Sequence, residues 1–375
     1  MHNPENQLEK FADYFKNENG KIVICIDGFI DEVWQVIKNK TSKTELVFYT
    51  QMQDFAKSIY DTKVGGYANE ILRKRRVYGG FTGNTGRTVG YLGGDLTLIG
   101  MFGKEKIDEA FDDLQKLCKE MISVSEPAIC QIYEFEDGKI MLPFAEDTAN
   151  FDWETLTATI SNDVLQHVFK DAKIVALGYW SQLHEFDDLV SNLCENHLFD
   201  GGCERLFFDF ADLRKRSQQA LETTFQLLMK LNTKLPMTLS LNEHEAEILY
   251  AYMGKTFDWK NHDTAEKNID FIREQIGLDE LVIHTPIFAV ASTETEGTVT
   301  VLQRYCEKPV ITAGAGDTFN GGYIMASATK GVLSVRERLL VGNAATSFYI
   351  RNGRSANEFE IQQEIQEVML VRRDG

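Results

Sequence analysis

Short apolar runs alternate with longer amphipathic stretches almost from one end of the chain to the other. Continuous apolar runs of strand length are typical of strands buried on both faces, and the stretches between them repeat with helical periodicity. The predicted strands are KIVICIDGF, GDLTLIGMFG, AKIVALGYW, RLFFDFADLR, MTLSLNEHE and ELVIHTPIFAVAS. The predicted helices include DEAFDDLQKLCKEM, SQQALETTFQLLMKL and AEKNIDFIREQIG. This alternation predicts an α/β fold with a mostly parallel sheet covered by helices.

The charge balance restricts the classes of partner. The 375 residues carry 39 basic and 57 acidic side chains, a formal net charge of -18. Nucleic acids and anionic membranes bind to basic surfaces, so neither is expected as a partner. A small anionic ligand in a local basic pocket stays compatible with this charge.

The chain has the marks of a cytoplasmic protein. Its amino terminus lacks the basic start and apolar core of a secretory signal, and its apolar runs are far shorter than the ~20 residues of a membrane helix. The six cysteines are scattered without a Cys-x-x-Cys pair, which argues against a disulfide scaffold and a zinc site. We therefore expect a reducing, cytoplasmic location.

Polar residues follow several of the predicted strands. Carboxyl ends of parallel strands share one edge of the sheet, and ligands of open α/β sheets bind in the crevice outside it. A single polar residue at a strand end has a simpler explanation, because loops are solvated. The residues concerned are Asp31, Asp209, Asp212, Asn242 and Thr285. Their number favours a shared crevice.

Two segments interrupt the alternation. Residues 32–78 are too long for a simple connection, and residues 126–145 read as a hairpin around Glu136, Asp137 and Gly138. Long insertions at the ligand end of a compact domain are often lids. A decorative edge sheet is the other interpretation, and both remain open at this point.

The stretch VITAGAGDTFNGGYIMASATKG, residues 310–331, combines a glycine turn with the start of a predicted helix. Gly314 and Gly316 allow close approach of the backbone to an anion, and the helix amino terminus favours negative charge. Asp317 then has two interpretations. It stabilises the first helical turn, or it takes a proton from a hydroxyl group that attacks a bound phosphate.

Two further motifs each have a structural and a chemical interpretation. In YGGFTGN, Asn84 either caps a helix or binds hydroxyl groups of a ligand. In LNEHEAEIL, Asn242 and Glu245 lie three residues apart where a helix begins. They either form a cap or supply oxygen ligands to magnesium, directly or through water.

The ordered set of these motifs resembles the ribokinase-like (PfkB) carbohydrate kinases. Asp31, GGFTGN, DFADLR, NEHE, TAGAGDTFNGG and GNAATSF follow one another over residues 20–355, nearly the whole chain. The resemblance implies one Rossmann-like domain over residues 1–375, a three-layer α/β/α sandwich whose small β-rich lid comes from segments 32–78 and 126–145. It also implies ATP and Mg²⁺ as donor and cofactor, and phosphorylation of a sugar or sugar-like hydroxyl.

The resemblance also assigns roles to single residues. Asp317 matches the catalytic base, and Gly314, Ala315 and Gly316 match the anion hole. Asp31, Gly80 and Asn84 match residues that bind the acceptor hydroxyls. Asn242 and Glu245 match the magnesium–phosphate element, with Glu245 acting on Mg²⁺ through water, and Thr285 and Asn343 resemble residues of the nucleotide site. The family also leaves a homodimer through the lid open.

Several departures from the family pattern keep alternatives open. Ile26 stands where a glycine is common, and HTPIFA after the strand is similar to ADP-dependent kinases of the same superfamily, so ADP is a second possible donor. RKRR, residues 73–76, either binds a substrate phosphate or forms a solvated basic face. A kinase for a nucleoside or a sugar phosphate, and a catalytically silent relative, are therefore the rivals. Ile311 replaces an aspartate that helps hold a monovalent cation, so weak or absent potassium activation is expected.

Overall fold

The structure is a computed structural model that describes residues 20–42, 44–62, 65–329 and 333–371. Its strands in chain order are β1 (Lys21–Ile26), β2 (Phe29–Lys40), β3 (Leu46–Phe48), β4 (Ile71–Gly79), β5 (Asp95–Gly100), β6 (Glu120–Ser123), β7 (Ala128–Phe135), β8 (Gly138–Pro143), β9 (Ile174–Gly178), β10 (Leu206–Asp209), β11 (Met237–Asn242), β12 (Glu280–His284), β13 (Phe288–Thr293) and β14 (Gly297–Leu302).

The helices of the described ranges lie mainly between the strands. In chain order they are α1 (Met52–Asp61), α2 (Gly80–Tyr91), α3 (Asp112–Gln115), α4 (Ala145–Ala149), α5 (Trp153–Thr159), α6 (Asn162–Phe169), α7 (Phe186–Leu193), α8 (Gln218–Asn232), α9 (Glu243–Tyr252), α10 (His262–Ile276), α11 (Ala315–Ser327), α12 (Val335–Asn352) and α13 (Glu358–Met369). Short 3₁₀ segments occur at Glu109–Phe111 and Leu213–Lys215, and a π-helical turn at Cys194–Leu198. None of these helices combines the length and apolar composition needed to cross a membrane.

The larger sheet has nine strands in the order β14-β13-β12-β11-β10-β9-β1-β5-β6. All neighbours from β12 to β6 pair in parallel, whereas β13 and β14 are antiparallel additions at one edge. Central strands β9 and β10 are buried at every residue. The α/β fold with a mostly parallel sheet is thereby confirmed.

Apolar side chains of β1 alternate between two hydrophobic layers. Val23 and Cys25 belong to the cluster that contains residues of α6, α7, α8 and α10, whereas Ile22 and Ile24 belong to the cluster that contains residues of α11, α12 and α13. Because successive side chains of a strand point to opposite faces, helices cover both sides of the sheet. This is the three-layer α/β/α arrangement.

Helix α10 shows how the sequence sets one of these elements. Asn261 accepts a hydrogen bond from the Asp263 N–H at its start, and Gly277 ends it in a left-handed conformation with φ 68°. Its buried apolar residues recur with helical spacing: Ala265, Ile269, Ile272 and Ile276. The predicted helix AEKNIDFIREQIG is confirmed.

Two predicted elements differ from the structure. The run ELVIHTPIFAVAS is not one strand but the antiparallel pair β12 and β13, because the Thr285 hydroxyl accepts from the Ile287 and Phe288 N–H groups and closes a turn. The run DEAFDDLQKLCKEM is helical only around Glu109–Phe111 and over α3. Its end joins the sheet edge as β6, because tertiary pairing with β5 overrides the helical periodicity.

The smaller sheet has the strand order β3-β2-β7-β8, with β4 also paired to β2. Strands β7 and β8 form the hairpin predicted around Glu136, Asp137 and Gly138. One apolar cluster of this sheet includes Phe29, Ala128 and Ile132, and Tyr179 packs against it directly after β9 of the larger sheet. The smaller sheet therefore covers the carboxyl ends of the parallel strands, as a β-rich lid does.

Candidate active site

The carboxylate of Asp27, just after β1, fixes the start of α2. It accepts hydrogen bonds from the backbone N–H groups of Phe81 and Thr82, both at 2.8 Å, and from the Thr82 hydroxyl at 2.5 Å. Gly80 has φ 79°, and a Cβ there would lie 2.2 Å from Asp27 Oδ2. Gly80 is therefore required by this close approach, whatever contact it makes with a ligand.

Asn84 lies inside α2 rather than at its cap, because Gly79 takes the N-cap position. Its Nδ2 donates to Asp317 Oδ2 at 3.0 Å, and its Oδ1 accepts from Arg87 at 3.3 Å. The capping interpretation of Asn84 was wrong, and the side chain instead joins α2 to α11. An acceptor hydroxyl would therefore meet an Asn84 side chain that is already hydrogen-bonded to Asp317.

Asp317 lies in the first turn of α11 and is only 8% exposed. Gly314, with φ 74°, takes the N-cap position, and no side chain caps the helix. The carboxylate accepts from Asn84 and from the Tyr179 hydroxyl, whose oxygen lies 3.3 Å from Oδ1 and 3.4 Å from Oδ2. Its hydrogen-bond partners thus come from α2 and β9 rather than from its own helix, which does not support a pure capping role.

The glycine turn before Asp317 is held from the side of α12. The Tyr349 hydroxyl donates to the Ala313 carbonyl at 2.8 Å, and the Thr346 hydroxyl donates to the Ala315 carbonyl at 3.2 Å. A Cβ on Gly316 would lie 3.1 Å from His284 Cε1, so the turn also passes close to the end of β12. Contacts from α12 and β12 therefore restrict the backbone around residues 313–316.

Buried carboxylates crowd this region. Burial, followed by the charge of Asp209, raises the pKa of Asp317 to about 8. Burial raises the pKa of Asp27 to about 6 and that of Asp209 to about 6. A strongly raised pKa in a cleft marks a candidate group for proton transfer.

Asp209 lies at the end of β10, where its charge acts on Asp317. Its Oδ2 accepts from Asn320 Nδ2 at 2.7 Å, and Oδ1 accepts from the Ala211 N–H at 2.8 Å. Asn320 Oδ1 accepts in turn from the Ser240 hydroxyl of β11. By contrast, Asp212 pairs with the exposed Arg214 at the surface. The buried member of this segment is therefore Asp209.

Asp31 lies within β2, opposite Val77 of β4 and Cys130 of β7, so its predicted position after the first strand of the parallel sheet was wrong. No side chain or backbone group of the described residues donates a hydrogen bond to its carboxylate. Burial nevertheless raises its pKa to about 6, against the lowering effect of Lys139 and Arg75. A largely desolvated carboxylate without a partner is available to accept from a ligand.

Asn242 and Glu245 form a complete capping box at the start of α9. Asn242 Oδ1 accepts from the Glu245 N–H at 3.0 Å, and the Glu245 carboxylate accepts from the Asn242 N–H at 2.9 Å and from its amide at 2.7 Å. Burial and the charge of Asp209 raise the pKa of Glu245 well above its ordinary value. The cap is present, and its magnesium role stays a prediction.

Thr285 and Asn343 are both buried and engaged with nearby backbone. Thr285 closes the β12–β13 turn, and Asn343 donates to the Val301 and Leu302 carbonyls at the end of β14. Their side chains therefore shape this end of the sheet, and contact with a nucleotide stays a prediction.

Comparison with known proteins identifies the family of this chain. The family model described as prokaryotic ketohexokinase matches residues 8–368. The chain belongs to the prokaryotic ketohexokinase family. A ketohexokinase from Haloferax volcanii is 25% identical over 369 residues, which cover 94% of each protein. The predicted carbohydrate kinase activity and the likeness to ribokinase-like enzymes are thereby confirmed.

Solved structures agree on the fold. Arabidopsis thaliana ribokinase aligns with a TM-score of 0.62 at 14% identity, covering 93% of this chain and 99% of that one. The nucleoside kinase of Methanocaldococcus jannaschii aligns with a TM-score of 0.57 at 15% identity, covering 94% and 100%. At these identities the likeness concerns the fold of this ketohexokinase-family chain and not its substrate.

Within this family member, the basic run 73–76 is largely neutralised. Arg73 pairs with Glu32, Arg75 pairs with Glu134, and Arg76 forms two hydrogen bonds with Asp108 at 2.6 and 2.9 Å. Cations already paired with carboxylates are poorly placed to bind a substrate phosphate. The run is better explained as part of the lid's surface.

Sequence reasoning missed several site residues. Asp27, Tyr179, Asn320 and His284 all lie in the crevice, and Asp27 carried a visible signal because it directly follows an apolar strand. Tyr179 directly follows β9, the same position in the strand-end pattern, but an aromatic residue there is equally typical of packing. His284 lies in register with Asn242, and burial lowers its pKa to about 4, so its imidazole is neutral at ordinary pH.

Proposed function

We propose that this chain transfers the terminal phosphoryl group of ATP to a hydroxyl of a ketohexose, with Asp317 as the general base. The observation that carries the proposal is the position of Asp317, a buried carboxylate in the first turn of an uncapped helix directly after the Gly314 turn. We infer the ketohexose as acceptor from the family description and from the Haloferax volcanii relative.

The base and the anion site adjoin one another on α11. A helix amino terminus without a side-chain cap carries about half a positive charge, which stabilises the charge on a transferring phosphoryl group. The Ala315 N–H donates to the Thr312 carbonyl, so the N–H groups of the other first-turn residues would bind the phosphate oxygens. The raised pKa of Asp317 makes it a stronger base once ionised. The Gly314–Gly316 turn would thus act on the phosphoryl group in transfer, and Asp317 would act on the acceptor hydroxyl that attacks it.

The acceptor would bind on the lid side of Asp317. The Asp31 carboxylate lacks a partner among the described residues, and Asn84 already contacts the proposed base. Sugar hydroxyls both donate and accept, so a free carboxylate and an amide suit them. The pairing of all three arginines of the 73–76 run with carboxylates favours a sugar without a phosphate group over a sugar phosphate.

The residues present also fit a magnesium ion. Glu245 and Asp209 are buried carboxylates whose charges repel one another, and a cation between them and the nucleotide would relieve that repulsion. Asn242, Glu245 and Asp209 would hold the ion, through water where Glu245 keeps its cap. Mg²⁺ would neutralise charge on the phosphates of ATP.

An activity screen tests the proposal. Purified protein is given Mg²⁺ with ATP or ADP and, in separate reactions, fructose and other ketohexoses, aldohexoses, ribose, fructose phosphates and nucleosides. We expect ATP-dependent phosphorylation of a ketohexose, and NMR of the product identifies the hydroxyl. Turnover confined to nucleosides or sugar phosphates, or no turnover with any acceptor, would overturn the proposal.

A further inference from the structure

We propose that Tyr179 is a positioning residue of the acceptor site, whose phenol donates to the Asp317 carboxylate and favours its ionised, proton-accepting form. The inference rests on the proposed function, in which Asp317 is the general base. Asn84 binds one oxygen of the carboxylate, and the Tyr179 hydroxyl lies within 3.4 Å of both. Two donors from different elements thus fix the carboxylate and leave lone pairs for the acceptor's proton.

Packing holds the Tyr179 ring in place. Its centroid lies 6.4 Å from that of Phe29 in the lid and 6.1 Å from that of Phe81 in α2. A Cβ on Gly178 would lie 2.5 Å from Phe81, so only glycine lets the end of β9 approach α2 this closely. The rings of Phe29 and Phe81 therefore hold the Tyr179 ring beneath the lid, where its hydroxyl reaches Asp317.

The phenol is a donor at every relevant pH. Burial, followed by neighbouring carboxylates, raises the pKa of Tyr179 well above its ordinary value. The titratable and charged groups around the Tyr179–Asp317 pair are Asp27 after β1, Asp31 in β2, Asp209 in β10, His284 in β12 and Arg87 in α2. Arg87 bonds to Asn84 rather than to Asp317, so Tyr179 and Asn84 are the direct donors.

Removing this donor should alter proton affinity rather than shape. A hydrogen bond to the charged form of an acid favours that form, and the effect is large where water is scarce. In Tyr179→Phe the ionised Asp317 loses one donor while the ring contacts remain. We expect the acid limb of kcat/KM to move upward by about one pH unit, with a roughly tenfold loss below the limb and little change on the plateau.

A second variant gives the opposite sign. Replacement of Tyr179 by 3-fluorotyrosine keeps the ring and makes the phenol a stronger donor, so the acid limb should move to lower pH. Since this residue is almost the same size as tyrosine, it also decides the case if Tyr179→Phe does not fold. The matched control is Tyr250→Phe, because the Tyr250 hydroxyl is buried without a partner among the described residues. Its acid limb should stay in place.

The outcomes separate the two proposals. Opposite shifts for the phenylalanine and fluorotyrosine variants, with none for Tyr250→Phe, support the inference. An active wild type whose acid limb is the same in both Tyr179 variants overturns the inference alone, because a merely structural role scales the rate equally at all pH values. A wild type that phosphorylates no acceptor overturns the proposed function as well.

Discussion

Replacing Asp317 by asparagine should nearly abolish turnover while making the folded protein more stable, and the gain in stability should grow with pH. The change is nearly isosteric. The amide oxygen can still accept from Asn84 Nδ2, and the Tyr179 hydroxyl can turn to accept from the new amide. Asparagine also retains the short polar side chain in the first turn of α11. The fold should therefore persist without the charge.

The magnitude follows from the pKa of Asp317, which burial and Asp209 raise from an ordinary 3.8 to about 8. The folded state therefore disfavours the ionised form, and wild-type stability falls as pH rises from about 4 to about 8. At pH 7, about three units above the ordinary pKa, the loss of wild-type folding stability is 1.36 kcal/mol per unit, so the gain from removing the charge has a ceiling of about 4 kcal/mol. Asparagine loses charge-assisted hydrogen bonds, so we expect a gain of about 1–3 kcal/mol at pH 7 and almost none at pH 4.

Thermal unfolding between pH 4.5 and 8.5 measures this gain, and steady-state kinetics measure the loss of kcat, expected at roughly 10²–10⁴-fold. Asp108→Asn is the matched control, because Arg76 lowers the pKa of Asp108 and the same substitution should there reduce stability. A Tm of Asp317→Asn below that of the wild type at pH 8, or a difference that does not change with pH, would refute the electrostatic reasoning. Normal turnover would show that Asp317 is not the base.

The remaining predictions concern the acceptor, magnesium and potassium. Asp31→Ala should raise the acceptor KM about tenfold or more, because it removes an unpaired acceptor of hydroxyl bonds, and should leave the ATP KM within about twofold. Equal increases for both substrates would contradict this placement. Glu245→Gln retains a side chain that can complete a capping box, so it should raise the Mg²⁺ concentration for half-maximal rate without a large fall in Tm; an unchanged metal requirement with a large fall would favour the cap alone. Potassium should not activate the enzyme, since Ile311 offers no oxygen and the Ala313 and Ala315 carbonyls already accept hydrogen bonds. Rates with and without KCl in sodium-free buffer at matched ionic strength test this, and several-fold activation specific to potassium would contradict it.

Much of the fold was readable in the sequence because its determinants are local. Strands buried on both faces leave continuous apolar runs, and helices such as α8 and α10 leave periodic ones. The two elements that the sequence predicted wrongly also have physical causes. The β12–β13 turn depends on hydrogen bonds of the single Thr285 hydroxyl, and β6 forms because β5 offers an open edge. Neither cause is visible in a window of residues.

The site was only partly predictable for the same reason. Asp317 and the Gly314–Gly316 turn form one contiguous motif, so they could be found from the sequence. Asn84 and Tyr179 reach Asp317 across sequence separations of 233 and 138 residues, and nothing near either residue indicates that contact. The local sequence around Asn84 allows a helix cap, the commonest local role of asparagine at such a place, as well as a contact with a ligand. In the structure Gly79 takes the N-cap position, and the carboxylate of Asp27, 55 residues before Thr82, accepts from the N–H groups of the first turn.

The strongly acidic crevice raises the question of how an anionic nucleotide could bind in it. The carboxylates of Asp27 and Asp31 lie toward α2 and the lid, where a neutral sugar would bind. On the other side, the Gly314–Gly316 backbone at the helix amino terminus and the neutral imidazole of His284 add no negative charge. The Asp209 and Glu245 carboxylates also lie there, and the proposed Mg²⁺ would neutralise them beside a nucleotide. Asp317 lies where these two regions meet. With that metal bound, such a division would attract hydroxyl donors to one side and phosphate oxygens to the other, as the proposed transfer from a nucleotide to a sugar requires.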